Sequence, residues 1–111
     1  MEGSMTRREF LLIPLAAAAS CTVRVHLFIS GVVQGVSYRA STREQARPRG
    51  IVGWVKNLED GRVEAVAQGS KDKVTELIAW CRKGPPAAKV DKVEATWEDV
   101  GDDFKDFEIR F

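Results

Sequence analysis

Residues 22–31, TVRVHLFISG, alternate in polarity along the segment. Val23, Val25, Leu27 and Ile29 fall on one face, and Arg24, His26, Phe28 and Ser30 on the other. Period-two alternation of this length is a β-strand with one face in a core. Such a strand needs partners for its backbone and a layer over its apolar face. The rest of the chain must supply both. His26 lies on the polar face and reads as a solvated strand residue, not as a base.

Residues 70–84, SKDKVTELIAWCRKG, supply the covering layer. Val74, Leu77, Ile78 and Cys81 follow the i, i+3, i+4, i+7 rule of one helix face, with Trp80 alongside. Ser70 is placed to cap this helix and Gly84 to stop it, with Pro85 and Pro86 behind. A second helix is expected over SYRASTREQARPRG, ended by Pro48 and Gly50. IVGWVKNL and RVEAVAQG read as strands joined by a tight Asp-Gly type hairpin at Glu59–Gly61, with Val63, Ala65 and Ala67 on one face. KVDKVEATWEDV and DFKDFEIRF read as two final strands. Val90 is out of parity with Val93, Ala95 and Trp97, which predicts a bulge or a late strand start. In the last strand Phe107, Ile109 and Phe111 are expected to point inward. The order is that of an α+β, ferredoxin-like sandwich, βαββαβ: an antiparallel sheet with two helices on one face and a short extra strand. Its helical crossovers join non-neighbouring strands, and only the middle hairpin is local.

With 111 residues, the chain suits one domain, placed at residues 22–111. A formal net charge of +1 gives no general pull toward nucleic acid or anionic membrane, so any anion site must be local. Two distant cysteines and one histidine offer no zinc cluster, and Cys81 reads as a small buried hydrophobe. Residues 1–21 stand apart. MTRREFLLIPLAAAASC carries two arginines, an apolar run too short for a stable membrane span, and small residues before Cys21. This order is signal-like and resembles the twin-arginine type, with Cys21 a possible lipidation point. A disordered extension or a tag remnant around MEGS is the alternative.

The stretch GVVQGVSYR, residues 31–39, links the first strand to the first helix. Glycines there let backbone N–H groups converge on an anion, and the helix dipole adds to the field. Arg39 brings a fork of donors that fits a phosphate. A cation is unfavourable at a helix N-terminus by about 0.3–1 kcal/mol when exposed, which favours a functional reason for it. From this stretch alone, an anion seat and a glycine-rich turn with a surface arginine are equally open. No Lys-Ser/Thr pair follows, so a nucleotide triphosphate loop is excluded.

GVVQGVSYR, together with GWVKNLEDGRVEAVAQG, resembles the acylphosphatase family. The first family motif, G-x-V-Q-G-V-x-[FM]-R, is matched at Gly31, Val33, Gln34, Gly35, Val36 and Arg39. The second, G-[FYW]-[AVC]-[KRQAM]-N-x3-G-x-V-x5-G, is matched at Gly53, Trp54, Val55, Lys56, Asn57, Gly61, Val63 and Gly69. The likeness runs over residues 23–111. Tyr38 stands where phenylalanine or methionine is usual, Ser37 where glycine is common, and Pro48–Arg49 where a polar-Leu pair is usual. The resemblance implies hydrolysis of a small-molecule acyl phosphate to carboxylate and inorganic phosphate, with no cofactor and no metal. It implies a monomer without nucleic-acid partner, inhibited by the phosphate product, and a cytoplasmic place that competes evenly with export. By carry-over, Arg39 and the amides of Gln34, Gly35, Val36, Ser37, Tyr38 and Arg39 hold the phosphoryl group. Asn57 orients the attacking water.

The chemistry accepts so spare a site. An acyl phosphate is a mixed anhydride whose leaving carboxylate has a reference pKa near ~4, so it departs without a general acid. Phosphoryl transfer rests on positioning and charge stabilisation. Two rivals are weaker. An RNA-recognition module has the same element order, and LFISGV resembles its first-strand motif. However, GRVEAVAQ has no aromatics to stack bases. A binding module without turnover is disfavoured by the intact Arg39 and Asn57.

Overall fold

The structure, a computed structural model, describes residues 21–111. The signal-like stretch therefore lies outside the described residues, apart from Cys21. The elements are β1 (Thr22–Val32), α1 (Tyr38–Ala46), a 3-10 turn (Arg47–Arg49), β2 (Val52–Asn57), β3 (Val63–Ser70), α2 (Lys71–Lys83), β4 (Lys89–Glu98) and β5 (Phe107–Arg110). The Cys21 carbonyl accepts from the Lys71 N–H at 3.0 Å, so backbone pairing begins one residue before β1.

One five-stranded sheet runs β4-β1-β3-β2-β5. Its first four strands pair antiparallel, as the alternation implies. The short fifth strand differs: it joins the edge parallel to β2, with Gly53 opposite Phe107 and Val55 opposite Ile109. The sheet is therefore mixed. The connection from β4 crosses to the far edge and arrives running the same way as β2. Asp106 fixes that arrival. Its carbonyl accepts from Gly53 N–H at 3.0 Å, and its carboxylate meets Phe107 N–H and Arg47. These two donors hold the Asp106 carboxyl below its usual range.

The core is the layer between this sheet and the helices. Val25, Leu27 and Ile29 from β1, and Val63, Ala65 and Ala67 from β3, are buried there against Val74, Leu77, Ile78 and Cys81 of α2. Ser70 caps α2, its hydroxyl accepting from Lys73 N–H at 3.4 Å. The expected bulge is present: Ser30 pairs with Lys92 but Gly31 with Val90, which leaves Asp91 extra. Gly31 sits there at φ 128°, and a Cβ would fall 2.2 Å from the Lys89 carbonyl oxygen, so only glycine fits. The hairpin is wider than the Asp-Gly pair predicts. Leu58 N–H donates to the Arg62 carbonyl at 2.8 Å, and Glu59, Asp60 and Gly61 form a three-residue loop.

Two side-chain expectations are revised. Phe111 does not point inward; it lies beyond β5 and is 97% exposed. His26 is not simply solvated, because the carboxylates of Glu64 and Glu98 approach its two ring nitrogens at 2.6 and 2.9 Å. The polar sheet face is also partly covered. The Gln68 side chain exchanges hydrogen bonds with the Gly101 backbone, and Arg24 reaches both Gln68 and Asp103. These contacts strap the β4–β5 connection across that face.

Tyr38 begins α1 and is buried to 1% exposure. Its hydroxyl donates to the Cys81 carbonyl at 2.7 Å. That carbonyl lies in the last turn of α2, where no helical N–H can reach it. The tyrosine thus satisfies a buried acceptor, and burial pushes its phenol well above the ordinary range. Burial likewise pushes the Cys81 thiol up to about 12. Tyr38→Phe should strand the carbonyl and destabilise the fold by about 1–3 kcal/mol. Differential scanning calorimetry should then show the midpoint falling by about 4–8 °C per kcal/mol lost.

Candidate active site

The loop between β1 and α1 is short and tightly held at both ends. Val33 is buried at its start and Tyr38 at its finish. Between them Gly35 takes φ 75° and Ser37 takes φ 64°, ψ 24°. Ser37 is the one non-glycine residue in the left-handed region among the described residues. Strain of this kind costs about 1–3 kcal/mol and persists where the flanks over-determine it. Ser37 is also the N-cap residue of α1, yet its side chain makes no cap hydrogen bond and the first turn holds no acid. The positive end of the helix is left uncompensated there.

Arg39 sits in that first turn. No carboxylate among the described residues pairs with it. Its Nη1 donates to the Arg110 carbonyl at 3.3 Å, and its guanidinium lies 4.8 Å from the centre of the Phe111 ring. Asn57 is the last residue of β2, in step with the buried Val55 and so on the helix side of the sheet. Its Oδ1 is buried without a hydrogen-bond partner. An orphaned buried acceptor costs about 1–3 kcal/mol. The second side-chain torsion of asparagine is soft, so a modest turn would present either amide atom to a neighbouring space. That space exists. A cavity of about 190 Å³ is lined by Gly35, Ser37, Arg39 and Asn57, with Ile109 and Phe111 completing the wall.

The sequence-predicted residues separate into three roles. Arg39, Asn57, Gly35 and Ser37 meet at the cavity. Val36 packs partly against the core and Tyr38 enters it, so their side chains support the loop. The Gln34 side chain is a brace. Its Nε2 donates to the carbonyls of Leu58 and Arg62, at 2.7 and 3.0 Å. It ties the loop to the neck of the hairpin, one residue past Asn57. Sequence reasoning missed this tie, and it missed Ile109 and Phe111 as wall residues. A polar amide isolated between glycines was the available signal for Gln34. Among the described residues no group of three or more His, Cys, Asp or Glu could hold a metal ion. A larger groove, about 580 Å³ between α1 and the end of α2, shares no residue with this cavity.

Chemically, the cavity offers a guanidinium fork, a strained loop at a helix N-terminus and an unpaired amide. The first two suit an oxyanion, and the third suits a small hydrogen-bonding molecule beside it. The family description Acylphosphatase matches residues 25–109 of the chain. The chain belongs to the acylphosphatase family. An acylphosphatase from Chloroflexus aurantiacus is 57% identical over 77 residues, covering 69% of this chain and 84% of that protein. One from Anaeromyxobacter dehalogenans is 51% identical over 89 residues, covering 80% and 96%. The structure of an acylphosphatase from Coxiella burnetii superposes with a TM-score of 0.77 at 42% identity, covering 80% of this chain and 93% of that one.

In this family member the brace generates a test. Gln34→Ala removes two hydrogen bonds, each contributing about 0.5–1.5 kcal/mol net, and frees the strained loop. Amide hydrogen exchange at Gly35, Val36 and Ser37 should accelerate at least tenfold. Exchange in α2 should change only by the drop in global stability. Unchanged exchange in the loop would show that Val33 and Tyr38 hold it alone.

Proposed function

We propose that this chain hydrolyses acyl phosphates through a metal-free site. Arg39 and the amides of residues 34–39 hold the phosphoryl group, and Asn57 orients the attacking water. The observation that carries this reading is the shared cavity, lined beside the strained loop by Arg39, which pairs with no carboxylate among the described residues, and by Asn57, whose Oδ1 has no hydrogen-bond partner. Family membership supports the reaction class.

The sequence of events follows from the groups present. The substrate's phosphoryl oxygens take the Arg39 donors and the loop N–H groups. Negative charge spreads over those oxygens as the bond to the acyl oxygen loosens. A water hydrogen-bonded to Asn57 attacks phosphorus from the side opposite the acyl group. The phosphorus–acyl oxygen bond breaks and the carboxylate leaves with the electron pair, needing no proton. The water's proton passes to a phosphate oxygen, so no general base is required of the protein. The product phosphate fits the same seat and competes with substrate. The domain acting in this way is residues 22–111, as a monomer, and residues 1–21 contribute nothing to catalysis.

Two variants divide the roles. Arg39→Lys keeps the charge but loses the fork, so kcat/KM for benzoyl phosphate should fall more than tenfold, beyond ~1.4 kcal/mol of transition-state stabilisation. A lysine variant retaining more than about a tenth of the activity would remove Arg39 from this role. Asn57→Ala should lower kcat by about 10²–10³. Inhibition by inorganic phosphate should stay within about twofold, because Asn57 holds water and not the anion. Parallel loss of both would make Asn57 a phosphate ligand.

A further inference from the structure

We propose that Phe111 is a positioning residue for Arg39, a role that rests on the site reading above and adds a group to it. The parallel ladder pairs Val55 with Ile109 and Lys56 with Arg110. One residue past that ladder, beyond β5, comes Phe111. Both Ile109 and Phe111 line the cavity that holds Arg39 and Asn57. Phe111 is 97% exposed, so burial does not explain where its ring lies. What the ring does contact is the guanidinium, 4.8 Å from its centre.

The preceding residue acts on the same group. The Arg110 carbonyl accepts from Arg39 Nη1 at 3.3 Å, a long hydrogen bond that leaves the guanidinium free to swing without a second restraint. The ring supplies that restraint through the attraction of a cation to an aromatic face. One contact holds an edge of the guanidinium and the other its face. The remaining donors are then aimed before an anion arrives, and less side-chain freedom is lost on binding. The restraint acts on the phosphoryl end of the substrate, so it is blind to the acyl group.

The test compares Phe111→Ala, Phe111→Leu, Phe111→Tyr and Phe111→Trp with wild type. Each is assayed with acetyl phosphate and benzoyl phosphate and for inhibition by inorganic phosphate. Phe111→Ala should weaken phosphate inhibition and lower kcat/KM by about two- to fivefold, the factor an exposed cation–aromatic contact supplies. The loss should be equal for the two substrates, and the thermal midpoint should not move. Tyrosine and tryptophan should restore wild-type values, and leucine, with bulk but no aromatic face, should not. Full rescue by leucine, or no loss in the alanine variant, would overturn the proposal. A loss confined to benzoyl phosphate would also overturn it and make the ring a wall for the acyl group. Arg39→Ala, assayed alongside, separates the two levels. If it retains phosphate inhibition, the site reading itself fails, and if it loses inhibition while Phe111→Ala does not, only the positioning role fails.

Discussion

The side-chain amide of Gln34 ties together the two parts of the candidate site. The loop that carries it leaves β1, while Asn57 ends β2, and in the sheet β3 lies between these two strands. Backbone pairing alone therefore never brings the loop and Asn57 into direct register. Gln34 bridges them by donating to Leu58 and Arg62, the two residues that close the hairpin neck. Both of its partners are carbonyls, so only an amide or another donor of that reach could serve. Through this contact the glycine loop is joined directly to the hairpin neck beside Asn57.

Beside the loop lie two sources of positive charge with no carboxylate partner among the described residues. They are the N-terminus of α1, which has no side-chain cap, and the Arg39 guanidinium, which lines the small cavity. The chain as a whole is nearly neutral, at +1. Any attraction for an anion must therefore come from local geometry, not bulk charge. The same features lower the stability of the empty protein, and the core opposite them makes up the difference. Leu27, Ile29, Tyr38 and Phe107 are all essentially inaccessible to solvent and pack under the site's supporting strands and helix.

Much of the fold is readable from periodicity because the sheet has one core face. Alternation in β1 and β3 and the i, i+3, i+4, i+7 pattern of α2 each report a side that meets apolar neighbours. The parity slip at Val90 reports the bulge opposite Gly31 for the same reason. The direction of β5 was not readable, since alternation carries no sign for parallel or antiparallel pairing. Phe111 was misread because it continues the parity of Phe107 and Ile109 past the point where the core ends. For the candidate site, Arg39 stood out as a cation at a helix N-terminus, whereas Asn57 was singled out only through the family motif, and the structure brings both to one cavity. The brace by Gln34 and the cap that Tyr38 places on Cys81 were not, because each joins residues far apart in sequence through a backbone carbonyl, which has no residue type to give it away.

The parallel pairing of β5 has a consequence in time as well as in space. One wall of the cavity comes from Ile109 and Phe111, and their strand docks on β2, whose residues lie roughly half the chain length earlier. Contacts so distant in sequence require loop closure before they stabilise anything, and so slow folding. A chain emerging during synthesis can already hold Arg39, the glycine loop and Asn57, yet it lacks the strand that encloses them. An unfinished chain thus has an open surface where the finished one has a walled cavity.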